Sequence, residues 1–383
     1  MSEQTMIGAG LHERAQAVFR NARPEMADTT FVSPVARYLE PGRLADERTL
    51  FRRFPQVLCP AADLPPDGWF ARDVGGVPVL ATRSAQGGIR AFLNVCRHRG
   101  AKLVADGAGS GRRAFACPYH AWTYGPDGTL RGVPQAWGFP GLDKAGYGLR
   151  PLAVAERAGL IWVATAPDAA ALDLGPLADE LDALGFGTHV PFMPRSFELA
   201  ANWKLMMDAS FEGYHFKVAH RDTIAAMFAD NVQLIDEHGL NRRLYLVRST
   251  LTAETPAADF SFREHGNAIY HFFPATILLV QRDHAQLTFL EPLAPDRTRV
   301  FDVALIPAPP AGDKALGHWQ RNVELYRRTL AEDYALMESM QCTMTSGANE
   351  ALTFGAFEFA AARFHTQLES EMKLSRMVSV TSR

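Results

Sequence analysis

Residues 202–220 read NWKLMMDASFEGYHFKVAH and carry two histidines, His215 and His220, with Glu212 three residues before the first. Apolar residues surround all three. Imidazole suits iron and zinc, and two histidines with one carboxylate are the donor set of the non-haem iron facial triad, which leaves coordination positions open for dioxygen. Glu212 is one candidate for the carboxylate and not the only one. The stretch is expected to be helical. Positions five apart on a regular helix differ by about 140°. Both imidazoles therefore reach one metal only if the helix bends or takes a π-type turn, as helices often do at functional sites.

Periodicity nominates another carboxylate. A long helix is expected over residues 313–341, with Trp319, Val323, Tyr326, Leu330, Met337 and Met340 repeating at alternating steps of four and three. Asp333 is the one polar position on that stripe. A carboxylate on a buried face is costly unless it is paired or bound to a metal, so Asp333 is the expected third ligand. Glu332 and Glu338 fall off the stripe as solvated or supporting charges, and Glu332→Ala is expected to be nearly silent. Asp208, one turn before Glu212, is a weaker supporting candidate.

Upstream, Cys96-Arg97-His98 and Cys117-Pro118-Tyr119-His120 form two Cys/His pairs separated by 18 residues. Short β-branched and aromatic runs broken by Gly, Pro and Asp surround them, the pattern of a small all-β domain. Two Cys and two His can ligate zinc, but the His-x3–5-His spacing of a finger is absent. In a Rieske [2Fe-2S] centre two Cys hold one iron and two His the other, and Cys-x-His with Cys-x-x-His supplies that set.

The run NVCRHRGAKLV…ACPYHAWTYGPDGTL resembles the Rieske domain of the ring-hydroxylating, Rieske non-haem iron oxygenases. NWKLMMDASFEGYHFKVAH and LAEDYALMESMQ resemble the mononuclear-iron region of their alpha subunits. The resemblance spans roughly residues 50–341. It implies an α+β chain: an N-terminal all-β Rieske [2Fe-2S] domain, then a C-terminal helix-grip, START-like catalytic domain. Cys96, His98, Cys117 and His120 would bind the cluster, with Trp122 and Tyr124 shielding it and the Gly107–Gly111 segment absorbing a slightly long gap between the pairs. His215, His220 and Asp333 would bind mononuclear Fe(II). Glu212 would bridge His215 to the partner subunit's His120. The implied activity is mono- or dioxygenation of a small organic substrate with O2, in a homotrimer or a multiple of it. Electrons would come from a separate NAD(P)H-dependent reductase, with or without a ferredoxin, since the chain has no dinucleotide fingerprint of its own. A basic group near the cluster loops, Arg97, Arg99, Lys102, Arg112 and Arg113, is either a docking face for an acidic donor or a solvated loop surface. Phe211, Phe216, Phe228, Phe272 and Phe289 suggest an apolar pocket, so an aromatic or other largely apolar ring is the first substrate reading. Glu in the bridging position also resembles the carnitine and betaine oxygenases, which makes oxidative demethylation of a quaternary amine the second. A pure Rieske electron carrier is the alternative from another class, and the two histidines with Asp333 argue against it.

The remaining bounds are coarse. The 383 residues suit two or three domains, expected as an N-terminal helical segment over 1–50, the Rieske domain over 51–166 and the catalytic domain over 167–383. A net charge of −3 gives no reason to expect nucleic acid. The N-terminus does not read as a signal peptide, and no apolar run suits a bilayer span, so no membrane partner and a cytoplasmic location are expected. Helices are expected over 11–22 and, with Asp46 as N-cap, 46–54. Strands of the second sheet are expected over 244–252, 268–280, 286–291 and 298–306. Phe354, Phe357, Phe359 and Phe364 in the tail are expected to close the pocket.

Overall fold

A computed structural model describes residues 7–8, 10–166, 169 and 174–381. The described residues fall into two compact units: Phe51–Asp173, and Met1–Leu50 together with Leu174–Arg383. The N-terminal helical segment thus belongs to the same unit as the C-terminal part of the chain.

The Phe51–Asp173 unit is built on a seven-stranded antiparallel sheet in the order Gln56–Pro60, Leu160–Ala164, Pro151–Arg157, Ile89–Leu93, Val77–Arg83, Gly68–Val74, Gly107–Ser110. Gly107–Ser110 is an edge strand paired to Gly68–Val74, so the glycine-rich stretch contributes to the sheet instead of looping out. A smaller sheet pairs Phe115–Ala116, Thr123–Tyr124 and Leu130–Gly132. Phe92, Cys96, Phe115, Cys117, Trp122 and Tyr124 share one buried cluster, which places both cysteines in the core.

The larger unit holds a second seven-stranded antiparallel sheet, ordered Val190–Leu199, Arg297–Ile306, Ala285–Ala294, Thr276–Val280, Gly266–Phe272, Asn241–Arg248, Phe228–His238. The single run expected over 268–280 is a hairpin, because Pro274 cannot donate to a ladder and turns the chain. The two edge strands were not legible in the sequence. VPFMPRSFEL contains two prolines and FADNVQLIDEH is rich in Asp and Asn, features that edge strands tolerate and central strands do not.

Helices Leu11–Asn21 and Asp313–Met344 lie where the periodicity puts them. The second N-terminal helix is Pro41–Arg53 and starts five residues before Asp46: proline is well suited to a helix's first position, whose N–H has no partner anyway. The tail forms a strand, Ala351–Phe354, paired with Phe31–Pro34, and a helix, Phe359–Thr381. Its phenylalanines do not close a pocket. Phe364 packs behind the 203–210 helix, its ring 5.1 Å from Phe211 and 5.8 Å from Trp203, and Phe357 stands 4.6 Å from Tyr214. No helix among the described residues is long and apolar enough to cross a membrane.

Candidate active site

The 202–220 stretch is not one bent helix. Asn202 Oδ1 accepts from Lys204 N at 3.0 Å and caps the helix Trp203–Ser210. The chain then breaks: Phe211 N closes back on Asp208 O, and Gly213 N donates to Gln233 Oε1 at 2.6 Å. A Cβ at Gly213 would stand 3.3 Å from Leu246, so the small residue lets the break seat against the sheet. A one-turn helix follows, Phe216–Ala219, with His215 and His220 as its two caps. His215 keeps right-handed helical dihedrals while His220 leaves them at φ −107° and ψ 23°, so the 140° separation of a regular helix does not apply. Their ring centroids are 4.9 Å apart.

Asp333, 8% exposed on the long helix, faces both. Its Oδ1 is 3.6 Å from His215 Nε2 and 3.2 Å from His220 Nε2. One donor atom from each of the three lies within 4.8 Å of the others. The other ring nitrogens are committed. His215 Nδ1 bonds to Glu212, whose carboxylate also accepts from the backbone N–H groups of Tyr214 and His215. His220 Nδ1 lies 2.8 Å from Glu332 Oε2, which Thr223 Oγ1 also reaches at 2.7 Å. Both Nε2 atoms are thereby aimed inward as donors, the arrangement that metal-bound histidines take from their carboxylate partners. Burial disfavours protonation of His220, yet the hydrogen bonds and charges of Asp333 and Glu332 outweigh it and raise its pKa. The pocket floor favours positive charge at this point, and the donor set fits a divalent iron.

Two expectations are corrected. Glu332→Ala is no longer expected to be silent, because of the two roles left open for Glu332 the supporting one holds: His220 sits on its side of the helix and orients through it. Glu332→Ala should weaken iron binding about 10–100-fold, read by iron titration against a competing chelator, with the other centre's spectrum unchanged. Asp208 turns away from the histidines into a buried network, Oδ2 accepting from Tyr38 Oη at 2.7 Å and Oδ1 lying 2.8 Å from His365 Nε2. Burial, with Asp208 adding, pushes the Tyr38 hydroxyl well above its usual pKa. This network ties the helix Trp203–Ser210 to the N-terminal segment and the tail helix. Thr223 is the partner that sequence reasoning missed, and Glu332 takes the supporting role among the two left open for it. Glu338 accepts from Ala200 N at 3.1 Å, and Met340 at the end of the stripe is 43% exposed.

A cavity of about 130 Å³ reaches this constellation. Its lining is mainly apolar and includes Met206, Phe216, Ile224, Phe228, Leu330 and Met337. Of the five phenylalanines read as pocket residues, Phe216 and Phe228 line it. Phe211 packs on His271, Phe289 stacks on Phe301, and Phe272 is buried in its strand.

In the smaller unit the two Cys/His loops repeat one hydrogen-bond pattern. Cys96 N bonds Ala101 O and Gly100 N bonds Cys96 O; Cys117 N bonds Trp122 O and Ala121 N bonds Cys117 O. The fifth residue of each loop needs positive φ, supplied by Gly100 at 80° and by Ala121 at 57°, a conformation uncommon outside glycine. Both cysteines are buried, His98 is half-buried and His120 is exposed, with the two rings 4.8 Å apart. Trp122 stacks on His98 at 4.8 Å, and Tyr124 Oη, fixed by Arg97 N, lies 3.4 Å from Cys96 Sγ. Buried thiolates on one side and imidazoles toward solvent on the other fit the asymmetric ligand set of a Rieske cluster. The nearby basic residues are partly spoken for: Lys102 pairs with Asp73 and Asp106, Arg99 lies over Tyr119, and Arg112 over Trp69 and Phe115.

A buried two-His, one-carboxylate site in a helix-and-sheet unit, in a chain that also carries a β unit with paired Cys/His loops, defines an iron-dependent oxygenase component. Family models agree: the Rieske [2Fe-2S] domain matches residues 54–142, and the ring hydroxylating alpha subunit (catalytic domain) matches residues 186–373. The chain belongs to the Rieske non-haem iron oxygenases as an alpha subunit, a family whose cofactors are a [2Fe-2S] cluster and mononuclear iron. Choline monooxygenase of Beta vulgaris is 34% identical over 45% of this chain and 41% of its own length. Chlorobenzene dioxygenase subunit alpha of Cupriavidus sp. is 36% identical over 45% and 40%. The match thus spans about two fifths of these relatives. The quaternary ammonium Rieske monooxygenase CntA with L-carnitine shares the fold, with a TM-score of 0.75 at 23% identity over 91% of this chain and 97% of that one.

Proposed function

We propose that this chain is the terminal component of an oxygenase system that inserts O2-derived oxygen into a neutral, largely apolar ring compound. His215, His220 and Asp333 would hold the iron, and Cys96, His98, Cys117 and His120 the cluster. Bound there, the cluster supplies electrons and the iron activates dioxygen. The chain's own residues set the conditions: Glu212 and Glu332 keep the two imidazoles in one tautomer, and the apolar walls exclude water from the reacting face. Electrons would come from a separate NAD(P)H-dependent reductase, directly or through a ferredoxin, to a homotrimer or a multiple of it.

The observation that carries the substrate reading is the charge of the cavity wall. Among the described residues no Lys or Arg lines it, and the only carboxylates that do, Glu212 and Asp333, belong to the metal constellation. An acidic substrate finds no counter-ion, and a cationic one finds no uncommitted anion. An apolar protein cavity of about 150 Å³ admits benzene, so the space beside the ligands suits a single ring.

A second reading has independent support. Choline monooxygenase and the glycine betaine and carnitine monooxygenase oxygenase subunits are among the relatives, and Phe216, Phe228 and Tyr326 can offer ring faces to a quaternary ammonium. Turnover with a surrogate reductase and labelled dioxygen separates the two. Label is expected in products of monocyclic aromatics, with choline, glycine betaine and carnitine left untouched. Formaldehyde release from a quaternary amine, with no labelled phenol or diol, would reverse the order. An iron content of about three per chain, against about two for a carrier, follows from the two ligand sets.

A further inference from the structure

We infer that the end of the cavity away from the metal constellation is a recognition site for a neutral head group that both donates and accepts hydrogen bonds, such as a primary carboxamide. This rests on the neutral, apolar substrate read above and adds a polar terminus to it.

The long helix lays out the axis. Asp333 marks the metal end, and Asn322, eleven residues earlier, lines the cavity at the other. At 1.5 Å per residue these levels stand roughly 16 Å apart along the helix. The turn after the strand Thr276–Val280 meets the helix at the Asn322 end: His318 Nε2 is 3.0 Å from Asp283, and the His284 and Trp319 rings are 5.6 Å apart.

Most polar groups along the wall are already satisfied within the protein. Thr288 Oγ1 and Tyr326 Oη bond each other at 2.7 Å, Thr329 Oγ1 donates to Leu325 O, and Ser210 Oγ to Met207 O. The far end differs. Gln281 lines the cavity with its Oε1 buried and unpartnered. Gln286 is 1% exposed, and neither its Oε1 nor its Nε2 has a partner. It lies on the strand Ala285–Ala294 two residues before Thr288 and opposite Leu279. Thr288 and Leu279 both line the cavity, and alternation along a strand puts Gln286 on the same face. Asn322 Nδ2 is held by His318 O at 3.0 Å, which leaves its Oδ1 as an acceptor.

A buried amide without partners is destabilising, because it has given up its hydrogen bonds to water and gained none in return. Gln281 Oε1 in the lining, with the Gln286 amide on the adjoining strand face, leaves buried polar atoms at an end of the cavity whose other lining polar groups mostly pair off, the signature of a site completed by its ligand. The amides offer both donors and acceptors and no charge, which complements a carboxamide and not an ion.

The test compares 3-phenylpropanamide with its hydrocarbon isostere isopentylbenzene. Equilibrium binding to the iron-loaded protein is measured for wild type, Gln286→Leu and Gln281→Leu. Each substitution is expected to weaken the amide roughly tenfold, the scale of a neutral hydrogen bond in a dry site. The hydrocarbon should bind as before or better, and Gln286→Leu should raise Tm because it removes an unsatisfied group. Gln281, half-buried just past the end of the strand Thr276–Val280, keeps the test open if the Gln286 variant does not fold. An amide-to-hydrocarbon affinity ratio that the substitutions leave unchanged, as when solvent alone satisfies these amides, overturns the head-group site while leaving the apolar-substrate reading intact. If neither phenyl compound binds, and choline or glycine betaine does, both fall.

Discussion

Asp333→Ala should strip the mononuclear iron and abolish turnover while the reduced protein keeps its rhombic Rieske EPR signal. The carboxylate supplies one of three donors, and its loss leaves two imidazoles whose outer nitrogens are still held by Glu212 and Glu332. A two-imidazole site lacks the negative charge that offsets a divalent ion. The cluster loops belong to the other compact unit, so their spectrum should not change. Metal analysis should fall from about three iron atoms per chain to about two, the content of the cluster alone. Asp333→Ala protein that retains its third iron would reject the assignment. A colourless wild-type protein holding one zinc would reject the cluster as well. Glu332→Ala should be an intermediate case, with iron recoverable at high concentration, because it removes only the group that orients a ligand.

Mixed oligomers of two inactive chains should recover part of the activity. Cys96→Ala lacks the cluster and His215→Ala lacks the iron site, so each is expected to be dead alone. If electrons cross between subunits, a hybrid pairs an intact cluster on one chain with an intact iron on its neighbour. If they stay within a chain, no hybrid contains a working pair. The structure of a quaternary ammonium Rieske monooxygenase of the same fold is described as giving insight into that protein's inter-subunit electron transfer; for this chain the route is the hypothesis under test. His120 is exposed, Tyr214 beside the Glu212–His215 pair is 56% exposed, and Glu212 holds His215 by its far nitrogen. Glu212→Gln should retain both metals and slow cluster reoxidation in the presence of substrate and O2, because an amide loses the charge-assisted bonds. Inactive mixtures in which mass spectrometry finds hybrids would exclude the inter-subunit route and the bridging role of Glu212 together.

The sequence by itself determined the class of protein. Two Cys/His pairs in a β-rich stretch, two histidines five apart, and one aspartate interrupting an apolar stripe name donor sets with few alternative uses. Donor chemistry is a property of residue type, and the α-helical period places Asp333 on the buried face without further information. The tertiary structure decided everything that depends on which faces meet. Glu332 leaves the stripe, which left open whether it is a solvated or a supporting charge, and the broken 202–220 segment brings His220 to that flank. Asp208 was kept because it lies one turn from Glu212, but the helix ends at Ser210, and its carboxylate meets Tyr38 and His365 from segments 170 and 157 positions away. The unpartnered amides of Gln281 and Gln286 carry no local signal at all. Gln286 sits in a strand and Gln281 just past the end of one, positions that read as solvated, and only the tertiary packing buries Gln286 and the Gln281 Oε1 atom.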